Sequence, residues 1–200
     1  MEKNNFIKKK KLETDIDNIA ARCYFPMLKE IAKSENELTY KEFNALAKLI
    51  YPDIEEIQKA VAINLSRRFE YIRLYLIKNK LPDLSAWIVN SQLTSPPEYK
   101  NDFDPKNERQ QTLKVNWDLY PGDPDWGPAI TLTREAMDLL KKRTAKSATK
   151  LMARTAIKYK DRLDYKSKKL ANARDDILRE LMNGKDPAEV FSDYLTPEKK

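Results

Sequence analysis

"SRRFEYIRLYLIKNKLPDLSAWIVNSQ", residues 66–92, changes its hydrophobic period half-way along, and that change sets the fold class. In its first half Phe69, Ile72 and Leu76 fall at three- and four-residue steps, the spacing of one buried helical face. Beyond Pro82, "LSAWIVNSQ" gathers β-branched and aromatic residues ahead of a Ser/Thr/Pro turn, which predicts a strand. Read backwards, the helix reaches Asp53 as its expected N-cap, with Glu55 and Glu56 in the first turn, where the helix dipole favours acids. Ile57, Val61 and Leu65 extend the apolar face, and Lys59, Ser66, Arg67 and Arg73 form the wet one.

Two helices precede this one. "DIDNIAARCYFPMLKEIAKSEN" (15–36) sets Ile16, Ile19, Ala20, Cys23, Met27, Leu28 and Ile31 on one side. In "ELTYKEF" Thr39 and Glu42 spell a capping box for a helix over about Tyr40–Ile50 that stops before Pro52. Downstream, "QTLKVNWDLY" (111–120) alternates Leu113, Val115, Trp117 and Leu119 against polar residues, predicting a second strand. Helix, short strand, helix, helix, strand, wing, strand is the order of a winged helix-turn-helix, with "LTSPPEYKNDFDPKNERQ" (93–110) as a long polar wing.

The same residues resemble a winged-helix-like module that recurs in bacterial and phage proteins of unsettled function. Thr39, Tyr40, Leu81, Pro82, Leu84, Ser85, Ala86, Val89 and Asn90 carry the likeness, over about residues 38–97. The resemblance implies a fold more than an activity, and suggests a phage or mobile-element origin. The expected class is therefore mainly α with a small antiparallel β element. A winged-helix-like domain with an N-terminal helix would span 1–120, a Pro/Gly linker 121–133, and a long basic helical region 134–200.

Composition removes several chemistries. The chain is 41% hydrophobic and 34% charged, which suits helices with one buried and one ionic face. With three glycines, neither GxGxxG nor GxxxxGK[ST] can be spelled. The absence of histidine excludes Ser-His-Asp hydrolases, HNH nucleases and Cys/His zinc fingers. Cys23 is the sole cysteine, read as a buried structural thiol in a reducing compartment. No apolar run approaches the roughly 20 residues of a membrane span, and no apolar core follows the basic start, so a cytoplasmic location without membrane contact is expected. Lys8–Lys11 reads as a solvated terminus or a phosphate-seeking arm.

Charge is uneven. Of the formal net +7, residues 134–182 alone carry +8, with 15 Lys/Arg against 7 Asp/Glu. No proline or glycine interrupts 134–183, so one long helix or two stacked ones are expected from Thr133 to Asn183-Gly184. Met152, Ala156, Tyr159, Leu163, Leu170, Ala173, Ile177 and Leu181 form its apolar stripe, which needs either the protein's own core or a homodimer to cover it. Lys142, Arg143, Lys146, Lys150, Arg154, Lys158, Arg162, Lys168 and Lys169 occupy the other face, spaced by small residues that admit phosphate. Arg67 and Arg73, on the wet side of the third helix, join them as candidate nucleic-acid contacts; they sit too far along it for base contacts at its tip, where Glu55 and Glu56 repel phosphate.

Pro82-Asp83 and Glu98-Tyr99-Lys100 together spell PD…ExK, the signature of Mg²⁺-dependent nucleases. Yet Asp83 precedes its strand, and Pro96-Pro97 cannot lie inside a central strand beside Glu98. No catalytic residue, metal site or cofactor is assigned. The expectation is a non-enzymatic nucleic-acid-binding protein that grips phosphates, duplex DNA above all, through its basic C-terminal helix. A phage-encoded inhibitor or takeover factor acting on an acidic host protein is the alternative, and a Mg²⁺-dependent nuclease the third.

Overall fold

The computed structural model describes residues 2–90, 104–163, 170 and 172–196, with side chains from residue 15 onward. It is mainly helical with one two-stranded sheet. Helix α1 (Glu2–Lys33) passes through the first hydrophobic core. Its buried line runs as the spacing predicts, through Ala20, Cys23, Met27, Leu28 and Ile31. Lys8–Lys11 lies within this helix.

Strand β1 (Leu38–Thr39) leads directly into α2 (Tyr40–Ile50). The capping box is present: Glu42 N donates to Thr39 Oγ1 (3.2 Å) and Thr39 N donates to Glu42 Oε2 (2.7 Å). The helix stops at Tyr51, whose hydroxyl donates to the Cys23 carbonyl at 2.9 Å.

The single third helix expected from the periodicity is two. Short α3 (Glu55–Gln58) and α4 (Leu65–Lys78) are separated by a turn and a 3₁₀ segment over Ala62–Asn64. Ile54, not Asp53, precedes α3. Side chains satisfy the broken backbone: Asn44 Nδ2 donates to Ala60 O (3.2 Å) and Arg68 Nη1 to Glu56 O (3.2 Å). Each replaces a helical bond that the break removes. Val61, expected inside, is 48% exposed. Phe69, Ile72 and Leu76 of α4 are buried as expected, and Tyr24, Phe43 and Phe69 meet edge-to-face at 5.2–6.0 Å.

Among the described residues of "LSAWIVNSQ", only Ile88–Val89 are strand. Leu84–Trp87 is a 3₁₀ turn capped by Asp83, followed by β2 (Ile88–Val89). β2 pairs with β1 in parallel, Leu38 opposite Ile88 and Thr39 opposite Val89, so the expected antiparallel pairing is corrected. The intervening helices supply the crossover that a parallel pair requires. The expected second strand is also replaced: residues 111–120 comprise the end of helix α5 (Pro105–Thr112), a turn, and a 3₁₀ segment at Trp117–Leu119. Of its alternating residues Trp117 is buried, whereas Leu113 and Leu119 are 46% and 70% exposed, so one half of the pattern faces water. Thr112 organises this region by accepting both indole N–H groups, Trp87 on its hydroxyl (2.9 Å) and Trp117 on its carbonyl (2.8 Å). Residues 91–103, most of the expected wing, lie outside the described residues.

The Pro/Gly segment packs against α1 through Trp126, whose ring sits 5.5 Å from Phe25 and 5.2 Å from Tyr75. In place of the one long helix or two stacked ones expected, the described C-terminal residues form shorter helices: α6 (Arg134–Lys141), α7 (Ala145–Lys158), α8 (Arg174–Met182) and α9 (Pro187–Ser192). Thr144 ends the run because its side chain caps α7, accepting from Ser147 N at 3.2 Å. Leu140 of α6 belongs to the first core. The C-terminal helices fold back on one another around a second, made of Ala148, Leu151, Leu163, Ala173, Ile177, Leu181, Val190 and Phe191. The apolar stripe thus packs within one chain, with Leu163, Ala173, Ile177 and Leu181 buried and Met152, Ala156, Tyr159 and Leu170 partly buried.

Burial pushes the Cys23 thiol up to about 12. It stays protonated in the fold and ionises from its ordinary value of 9.0 once unfolded. A raised folded-state value means its stability contribution is complete below pH 9 and is lost as pH rises above it. Native protein at pH 8 should therefore react with a thiol-specific dye far more slowly than urea-unfolded protein. Equal rates would show that α1 opens at Cys23.

Candidate nucleic-acid interface

The basic face splits by depth. Lys146, Lys150, Arg154 and Lys158 follow one another at four-residue steps along α7, yet only the two ends face solvent. The middle two turn toward Glu37, in the loop after α1, which is 4% exposed. Its carboxylate receives Arg109 Nη1 (2.5 Å), Lys150 Nζ (3.0 Å) and Arg154 Nη1 (3.4 Å). Arg154 also lies 3.9 Å from Glu35. The Arg109 and Arg154 guanidiniums sit 5.9 and 5.7 Å from the centre of the buried Trp87 ring. One acid therefore ties α5, α7 and the end of α1 together.

Arg143 is a further correction. Expected at a phosphate, it is 5% exposed and acts as an interior strut. Its guanidinium donates to the Ser34 carbonyl, to Leu181 O (2.8 Å) and to Lys185 O (3.4 Å), while its backbone N–H donates to Met182 O (3.0 Å). Burial lowers its pKa from the ordinary arginine value. Beside it, Asn36 Nδ2 donates to Leu140 O (2.7 Å) and Lys142 O (3.0 Å), closing the end of α6.

The other candidates divide similarly. Arg73 is held by Asp83 (3.0 Å), Ser85 (3.1 Å) and Glu70 (3.3 Å). Arg67 is exposed and lies 3.7 Å from Asp17. Arg162 donates from Nε to Thr196 O at 3.2 Å, which fastens the chain end beside the Leu163–Leu195 bridge. Lys168 and Lys169 lie outside the described residues. Lys142, Lys146 and Lys158 project into solvent with no acid partner among the described residues, and Lys160, which helical spacing did not single out, joins them. Between them the outer line of α7 carries Thr149 and Ala153, both small.

Asp83 is occupied structurally. Its Oδ1 accepts from Ser85 N (2.8 Å), its Oδ2 takes Arg73, and its own N–H donates to Glu108 (2.8 Å). Glu98 and Lys100 lie outside the described residues, as does Asp102. The described residues hold no group of three acids or cysteines placed to bind a metal, and no helix long and apolar enough to cross a membrane. No known protein family, curated protein or solved structure matches this chain.

Proposed function

We propose that the protein binds nucleic acid without catalysis, gripping the phosphate backbone through the exposed cations at the two ends of α7. The observation that carries this reading is segregation of charge. Residues 134–163 hold ten Lys/Arg against three Asp/Glu, whereas 170–196 hold three against six. A local excess of positive charge attracts a polyanion and orients its approach. Lys142 and Lys146 at the start of α7, with Lys158 and Lys160 at its far end, are the contacts. Thr149 and Ala153 between them leave room for a sugar-phosphate strand. Nothing in this set reads base edges, so the binding is of low sequence specificity and steeply salt-dependent.

The decisive variant is the triple reversal Lys142→Glu, Lys146→Glu, Lys158→Glu. Lys150 and Arg154 are left alone, because reversing them would strand Glu37. Anisotropy titrations of a short labelled duplex across a salt series should show the slope of log affinity against log salt falling by nearly three units, roughly 0.9 for each phosphate that a lysine no longer neutralises. The melting temperature should stay within a few degrees of the parent. An unchanged slope, or tight binding of an acidic polypeptide in place of DNA, sinks the reading.

A further inference from the structure

A cleft of about 460 Å³ lies between α1 and the loop that follows Tyr120, and the proposed interface does not use it. That volume falls in the range of small-molecule sites. Pro26 shapes its floor. A proline inside a helix has no N–H to give the carbonyl four residues back, here that of Arg22. Arg22, Pro26, Lys29 and Lys33 follow one line of α1 at steps of four, three and four residues, and all four line the cleft. The opposite wall is apolar, formed by Trp126, Ile130 and Leu132.

Two cations here lack an acid of their own. Arg22 Nε is buried without a hydrogen-bond partner, and no carboxylate among the described residues pairs with the guanidinium. Gly127 (φ +94°) makes room for it, since a Cβ there would meet Arg22 Nη1 at 3.2 Å. Lys29 is half-buried and donates to the backbone carbonyls of Tyr120 (3.1 Å) and Trp117 (3.5 Å). Arg22 is half-buried, and its Nε, shut off from water beside an apolar wall, is costly unless a counter-charge reaches the guanidinium. Its planar fork fits a carboxylate.

The rim limits how much charge that ligand carries. Lys33 is taken by Asp118 (2.9 Å) and Glu30 (3.2 Å), and Asp123 caps a turn by accepting from Asp125 N (3.0 Å). Arg22, Lys29 and Lys33 thus face Glu30, Asp118 and Asp123, a lining of zero formal charge. A multiply charged phosphate would meet three carboxylates, whereas one carboxyl group can engage Arg22 from inside. From the unpaired Arg22, the neutral rim and the apolar wall we infer that this cleft binds a small monocarboxylate with a hydrocarbon body.

The test is calorimetric titration of the full chain with decanoate, with decanol and inorganic phosphate as controls. Trp126 fluorescence serves as a second readout. Decanoate should bind saturably, at least tenfold more tightly than decanol, and phosphate should neither bind nor compete. Arg22→Met should weaken decanoate at least tenfold and leave decanol unchanged. Ile130→Glu, at a half-buried loop position on the apolar wall of the cleft, should likewise abolish decanoate binding and still melt cooperatively. It decides the matter if Arg22→Met does not fold. Absence of decanoate binding, equal affinity for decanol, competition by phosphate, or full affinity in a folded Arg22 or Ile130 variant would each overturn the assignment.

Discussion

Replacing Glu37 with alanine is expected to destabilise the protein by about 3 kcal/mol, visible as a lower urea midpoint at unchanged m-value. The substitution strands three cations that the fold has partly withdrawn from water. Arg109 suffers most, because its side chain is only 15% exposed and sits against Trp87. Lys150 and Arg154 are 40% and 39% exposed and recover part of their hydration, which places the cost at the low end for breaking a buried ion network. Glu37→Gln keeps an acceptor but no charge and should fall in between. In the Arg154→Met background the Glu37 effect should shrink, since the two share one network. A loss under 1 kcal/mol for Glu37→Ala would mean that the carboxylate is hydrated and the network ornamental.

Trp87→Ala should cost about 4 kcal/mol, the usual toll for emptying a large aromatic site. The ring is wholly buried, its N–H bonds Thr112 Oγ1, and guanidiniums lie on it from two other helices. Removing it opens a void, takes the donor from a buried hydroxyl that keeps only its own bond to Arg109 O (2.7 Å), and takes the π-face from both arginines. Trp87→Phe should retain most of the packing and lose about 1 kcal/mol for the missing donor. The two midpoints, measured by chemical denaturation, separate the contributions. A loss below 2 kcal/mol for the alanine variant would show that the 3₁₀ turn carrying Trp87 is not part of the core.

Features written in contiguous residues were legible. Thr39 and Glu42 hold each other's backbone N–H, and the buried line of α1 needed no partner to be recognised. The break between α3 and α4 left no such mark. No proline or glycine occurs in 53–80, and the break is compensated by Asn44 and Arg68, residues whose roles exist only after folding. "QTLKVNWDLY" failed for a different reason: of its alternating apolar residues only Trp117 is buried, and the helix end buries Thr112 from the polar set instead. Thr144 with Ser147 was a visible N-cap inside the basic run, outweighed by the unbroken helix-forming composition around it.

The site was legible in outline and wrong in depth. Sequence places cations by helical face, but it does not say whether the face opposite the apolar stripe meets water. Arg143 is interior and Arg154 is drawn half-way in because Ser34 and Glu37, more than 100 residues away, were brought to them. The three carboxylates of the Arg22 cleft come from two segments nearly 90 residues apart, and Arg22 itself looked like an ordinary polar position.

The wiring of Glu37 also sets an order of events. Its partners are 72, 113 and 117 residues downstream, and neighbouring Asn36 reaches across 104 and 106. Pairings of such separation raise the contact order and slow the search for the native topology. During synthesis from the amino end, the loop at 34–37 emerges long before α7 and waits without its counter-ions. The first core can therefore collapse around α1 early but cannot lock its most polar corner until Arg154 has left the ribosome, so folding of this chain completes late.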